Sequence, residues 1–154
     1  MRRAEKPNCE YRDGVLNPKP MPTLLHSLLS TMLMMLLRRA GLEAAQELTV
    51  RLSPIKFLVP DVVAAPVLAN PYPTEPVFLC CEVLSPDDRL GATFSKCEEY
   101  HEWGVPYCWV VDPVKRTAWE YHRATGEPVR VSAALQAGEI AVELPELFSA
   151  IEGK

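Results

Sequence analysis

The sequence predicts an α/β fold, and three observations carry the prediction. Residues 77–84 (VFLCCEVL) form an apolar run of strand length broken by a single glutamate, as expected of a strand buried on both faces at the centre of a sheet. Two helical segments with terminal signals, one opening at Thr23 and one closing at Gly104, are interleaved with short strand-like runs. The chain has 154 residues, 48% apolar and 23% charged, which suits one compact domain over residues 1–154 with one sizeable core.

The elements follow in order. Residues 10–13, Gly14 and residues 15–16 read as a hairpin, with Asp13-Gly14 supplying the turn chemistry. Residues 18–22 (PKPMP) are an extended connector. Thr23 caps a helix that runs to about Arg39; Arg38 and Arg39 suit its C-terminal end, and Gly41 stops it. Residues 47–52 read as a strand. Residues 57–64 read as another, which Pro60 pushes to an edge or a bulge. Residues 65–76 are proline-rich and irregular. After the central strand, residues 85–88 turn into a helix over 92–103, with Phe94, Cys97, Tyr100 and His101 inward. Residues 107–111 are a second buried strand, joined in a hairpin to residues 117–122. Residues 129–131 and 140–142 read as later edge strands, and a short helix opens at Leu144-Pro145-Glu146. No internal repeat is visible.

Composition narrows the function. A net charge of -4 argues against a strong non-specific nucleic-acid binder, which usually carries a basic face, but leaves room for a local metal site. Five cysteines without a CxxC pair indicate neither a disulfide framework nor a zinc knuckle, so a reducing cytoplasm is the expected setting. Residues 24–37 are strongly apolar and follow Met1-Arg2-Arg3. Yet His26, Ser27, Ser30 and Thr31 interrupt them, and the run is shorter than the roughly 20 residues that span a bilayer. A buried core helix is expected there, and no membrane association. No Gly-rich phosphate loop, Ser-His-Asp order or HExxH is present.

Three residues carry candidate chemistry. Glu82 lies in the middle of the central strand, where a carboxylate is costly to bury without a partner or a metal. Asp61 follows Pro60 and opens the apolar pair Val62-Val63; alone it reads as a turn residue. Two adjacent strands can present Asp61 and Glu82 to one point, and paired carboxylates need a divalent cation or a shared proton. Lys96 sits on the helix after the Glu82 strand. Most helix lysines are simply solvated, but one overhanging the strand end can orient a water or counter charge on phosphorus.

Taken together, PDVV at 60–63, CEVLSP at 81–86, Lys96 with Tyr100, and GVPYCWVVDP at 104–113 resemble the Uma-two family of restriction-endonuclease-like proteins in the PD-(D/E)XK superfamily. Glu10, Asp13-Gly14 and His26 match that family's opening pattern, and the resemblance spans roughly residues 10–121. It implies a restriction-endonuclease-like mixed β-sheet flanked by helices and Mg²⁺- or Mn²⁺-dependent hydrolysis, with DNA as the usual substrate. It also implies metal ligation by Asp61, Glu82, the main-chain carbonyl of Val83 and, as an outer carboxylate, Glu10. The general superfamily motif places a lysine two residues after the glutamate, where this chain has Leu84; the resembled family takes it from the next helix, and Lys96 fits. His26, alone on an apolar helix, reads more simply as a core residue.

The remaining candidates read more plainly. Asp87, Asp88 and Arg89 are turn and helix-start residues. Trp103 and Trp109 are core or interface residues. Lys115 and Arg116 form a solvated hairpin tip. Trp119 and Tyr121 alternate on one side of a strand, where exposed aromatics would suit a partner surface and a homodimer. The reading is a metal-dependent endodeoxyribonuclease. The competing reading is a catalytically inactive binding or assembly module. It is motivated by the acidic charge, the aromatic hairpin, and the few residues before Glu10 in which a first helix could form.

Overall fold

A computed structural model describes residues 9–154. Strands β1 (Cys9–Arg12) and β2 (Val15–Pro18) form the expected hairpin, with Asp13 and Gly14 both at positive φ (50° and 88°). That is the backbone a two-residue primed turn requires. Helix α1 (Leu24–Arg39) starts where Thr23 Oγ1 accepts the His26 N–H at 3.2 Å, and Arg38 and Arg39 occupy its last turn. Its buried stripe is His26, Leu29, Ser30, Leu33, Leu36 and Leu37, while Leu24 and Met35 face outward. Among the described residues no helix is long and apolar enough to cross a membrane.

The next stretch differs from the sequence expectation. The strand read over 47–52 is β4 (Val50–Ser53) alone, preceded by a strand the sequence reading did not foresee, β3 (Glu43–Gln46), and the strand read over 57–64 is two, β5 (Lys56–Leu58) and β6 (Val62–Ala65). Each pair changes sheet at the same level. Glu47 adopts φ 53°, and its N–H donates to the Asp61 carbonyl at 3.2 Å, tying the two corners together. β6 is therefore interior, and Pro60 lies in the corner between strands, where its missing N–H interrupts no ladder.

Beyond β7 (Leu79–Val83) come α2 (Leu90–Trp103), β8 (Tyr107–Asp112), β9 (Thr117–His122) and β10 (Glu127–Val131). The hairpin β11 (Ala134–Ala137) and β12 (Ile140–Glu143) leads to α3 (Leu144–Phe148) and a 3₁₀ turn at Ser149–Ile151. The main sheet has the order β10-β9-β8-β7-β6-β3, parallel between β7 and β8, which α2 connects, and antiparallel at its other pairings. A smaller sheet has the order β2-β1-β5-β4. The expected mixed sheet with flanking helices is thus what the chain forms.

Because side chains alternate along a strand, the main sheet feeds two cores. Val62, Cys81, Val83 and Trp109 pack with α1, α3 and the last hairpin. Val63, Cys80, Leu84, Cys108 and Val110 pack with Cys97 and Tyr100 of α2. Continuing the β6–β7 register one step from Val62↔Cys81 sets Asp61 opposite Glu82. Both belong to the alternation that faces α2.

Candidate functional site

Glu82 is 6% exposed and Asp61 4%, so each carboxylate must find its partners inside the protein. For Asp61 they come from three directions. The Val83 N–H donates to Oδ2 at 2.7 Å, Lys19 Nζ donates to Oδ1 at 2.7 Å, and His26 Nε2 lies 3.3 Å from the same oxygen. Burial alone would raise the Asp61 pKa. The His26 hydrogen bond and the Lys19 charge outweigh it and hold the group well below the usual carboxylate range.

Glu82 is held from α2. Tyr100 donates its hydroxyl to Oε2 at 2.9 Å, and Lys96 Nζ lies 3.1 Å from Oε1. Residues 96 and 100 are one helical turn apart, so a single face of α2 delivers both. Burial, helped by the neighbouring charges of Asp61 and Glu10, outweighs Lys96 and Lys19 and pushes Glu82 up to about 7. Lys96 moves the other way in effect: Glu82 and Glu10 overcome its own burial and keep it firmly charged.

Glu10 enters from the small sheet. Its Oε2 lies 2.5 Å from Lys96 Nζ and accepts the Val59 N–H at 2.8 Å. That sheet is fastened to α2 by Glu99, which Arg12 grips through two nitrogens at 3.0 and 2.6 Å and Lys56 approaches at 3.1 Å. The fastening brings Glu10 over the helix face that carries Lys96.

A cavity of about 780 Å³ opens over this cluster, with Glu10, Lys19, His26, Asp61, Glu82 and Lys96 in its wall. The residues read from sequence thus converge: Asp61, Glu82, Lys96 and Glu10 line one cavity, and Val83 lines it too. His26 points at Asp61 and is no plain core residue. Lys19 escaped the sequence reading. It sits in the proline-rich connector, yet its ammonium also donates to the Val59 carbonyl at 2.7 Å and to Glu47 Oε2 at 3.2 Å. The only sequence signal was a lysine framed by Pro18 and Pro20, which fix the direction of the connector.

The donor set is all oxygen, as a hard cation requires. Among the described residues no group of three or more His, Cys, Asp or Glu side chains is spaced to hold a metal. Two carboxylates are nevertheless what Mg²⁺ commonly takes from a protein, leaving its other positions to water and substrate phosphate, so the residues fit such an ion.

The remaining candidates divide. Asp88 Oδ2 accepts the Ser85 N–H at 2.8 Å, a turn role as expected. Trp109 is fully buried, and its indole N–H donates to the Gln136 carbonyl at 3.0 Å. Tyr121 is not an exposed aromatic. It is 5% exposed, stacked beside Phe94 and His101, and its hydroxyl donates to Glu98 Oε2 at 2.9 Å, because this face of β9 is covered by α2. Trp119 is only partly covered.

Residues 1–152 match the family described as "Uma2: Putative restriction endonuclease". The chain is also similar to a crystal structure described as "a putative nuclease belonging to DUF820" from Anabaena variabilis. That match has a TM-score of 0.79 and 20% identity, and covers 94% of this chain and 92% of that one. At this identity the likeness is one of fold. No curated protein matches.

Proposed function

The chain belongs to the Uma2 family of restriction-endonuclease-type proteins, and from that premise we propose that it is a metal-dependent endonuclease that hydrolyses phosphodiester bonds in DNA. The observation that carries the reading is the juxtaposition of Asp61 and Glu82 across β6 and β7, buried at the floor of a cavity and bracketed by Lys96. Asp61 and Glu82 would hold Mg²⁺ or Mn²⁺, with the Val83 carbonyl as a third ligand and Glu10 as an outer carboxylate. When bound, the cation supplies Lewis acidity and lowers the pKa of a coordinated water.

The chain's own groups do the rest. Lys96 is permanently charged and held by two carboxylates, so it can donate to the attacking water or to a phosphoryl oxygen without giving up its proton. Tyr100 fixes the Glu82 carboxylate from behind and keeps its other oxygen toward Lys96. His26 and Lys19 steady Asp61. In-line attack of water breaks the phosphorus–oxygen bond and releases an alcohol and a phosphate monoester.

Plasmid nicking in Mg²⁺ or Mn²⁺ tests the reading. Wild-type protein should cut and be silenced by chelation, and Glu82→Gln should lose about a hundredfold or more in rate while remaining folded. Cutting by Glu82→Gln at the wild-type rate would remove the assignment. One observation favours a second reading, a nuclease fold that binds without cutting: Lys19 and Lys96 already satisfy the acid pair as internal cations. That reading predicts no Mn²⁺ binding and no cleavage.

A further inference from the structure

A second cleft, of about 550 Å³, adjoins the first and shares Ser85 and Asp88 with it. It lies where the parallel strands β7 and β8 end, the place at which open α/β sheets gather ligands. Leu90, Lys115, Trp119 and Arg130 line it. Trp119 and Arg130 are directly paired across β9 and β10, so their side chains leave the same face of the sheet as neighbours. Phe94 meets Trp119 edge to face at 5.9 Å and steadies it from the side of α2.

The cations here differ from those of the acid cluster. Lys19 and Lys96 are bound to carboxylates, and so are Arg12, Arg39, Lys56 and Arg116. Lys115 and Arg130 in the second cleft, and Arg89 on the wall of the first, have no carboxylate within ion-pair distance among the described residues. The carboxylates that share the second cleft are turned to the backbone: Asp112 accepts the Val114 and Lys115 N–H groups at 2.9 and 3.1 Å, and Asp88 accepts from Ser85. A partly exposed aromatic face with free cations around it is what an unstacked nucleotide needs, a flat surface for the base and positive charge for its phosphates.

We propose that the second cleft, formed by Trp119, Arg130 and Lys115 beside the acid cluster, is a subsite for an unstacked nucleotide of a single strand, flanking the phosphodiester held in the first cleft. The base lies against Trp119, Lys115 and Arg130 hold its phosphates, and Arg89 bridges toward the first cleft. This rests on the nuclease reading.

The test is fluorescence anisotropy with a labelled ten-nucleotide single-stranded DNA in the presence of Ca²⁺, with calorimetric Mn²⁺ titration of each variant alongside. Trp119→Leu, Arg130→Gln and Lys115→Gln should each weaken binding about tenfold. The two charge variants should each lower the slope of log Kd against log salt by roughly 0.7. Arg123→Gln, in the β9–β10 turn and outside both clefts, should bind as wild type, and Mn²⁺ affinity should be unchanged throughout. If wild-type protein binds the strand and the three variants bind equally well, the subsite is wrong and the nuclease reading stands. If wild-type protein binds Mn²⁺ but no strand, the subsite falls together with the nucleic-acid substrate.

Discussion

Glu82 titrates near neutrality, so the binding of a cation there is linked to the departure of a proton. With its pKa pushed up to about 7, Mn²⁺ affinity should rise about tenfold per pH unit below that value and level off above it. Calorimetry in buffers of different ionisation heat should register close to one proton released per metal on the acid side, and Glu82→Gln should abolish the dependence. Lys19 makes a different prediction. Its ammonium holds Asp61 Oδ1 at 2.7 Å, a place that a cation would contest, and Lys19→Met should tighten Mn²⁺ binding by about tenfold through lost repulsion. Unchanged or weaker binding would show that Lys19 does not compete. At this scale the sequence was informative wherever a charge broke an apolar pattern. Glu82 and Asp61 were visible because they interrupt strands. Lys19 was not, because a connector has no periodicity for a charge to violate, and Glu47 was hidden in a corner that was read as a strand.

Helix α2 is the element on which the site depends, since it supplies Lys96 and Tyr100 and anchors the small sheet through Glu99. Its register is fixed at its C-terminal end. Gly104 has φ 125°, and a Cβ there would lie 2.8 Å from Pro76 Cγ. Gly104→Ala should therefore destabilise the protein by about 1–3 kcal/mol in urea unfolding, through backbone strain and the clash. Tyr100→Phe leaves the packing intact and removes one hydrogen bond to a buried carboxylate, for a loss of about 1–3 kcal/mol. The limits of α2 were largely legible, because glycine marks its end and Cys97, Tyr100 and His101 follow helical spacing. The split of residues 57–64 between two sheets was not. Pro60 signals an interruption, but nothing local says that the chain resumes in a different sheet.

For the molecule as a whole, the two acids pull the pH dependence of stability in opposite directions. Asp61, held low, contributes stability that is present above its unfolded pKa and lost as pH falls through its folded one. Glu82, pushed up, contributes stability that is present below its unfolded pKa and lost as pH rises through about 7. Without metal, the Glu82 contribution alone makes urea midpoints decline as the pH rises from its unfolded pKa of 4.5 to about 7 and level off above that, and Glu82→Gln should remove that decline. A saturating divalent cation should reverse it, since an ion that binds only the folded state stabilises it by mass action. Strand order was the least legible feature at this scale. It depends on which apolar faces meet α1 and α2, and the cover of α2 over β9 is what turned Tyr121 from a surface residue into a core one.

The corner between β5 and β6 has a consequence for how the gene can change in length. Asp61 faces Glu82 only because the count of residues from Pro60 into β6 matches the register of β7. One codon inserted between Asp61 and Val62, or between Cys81 and Glu82, would turn the acids to opposite sides of the sheet and take one of them out of the cavity. Residues 69–72, in the largely exposed loop before β7, can lengthen or shorten without disturbing that count. Length variation across related genes should therefore accumulate in that loop and be absent at the corner.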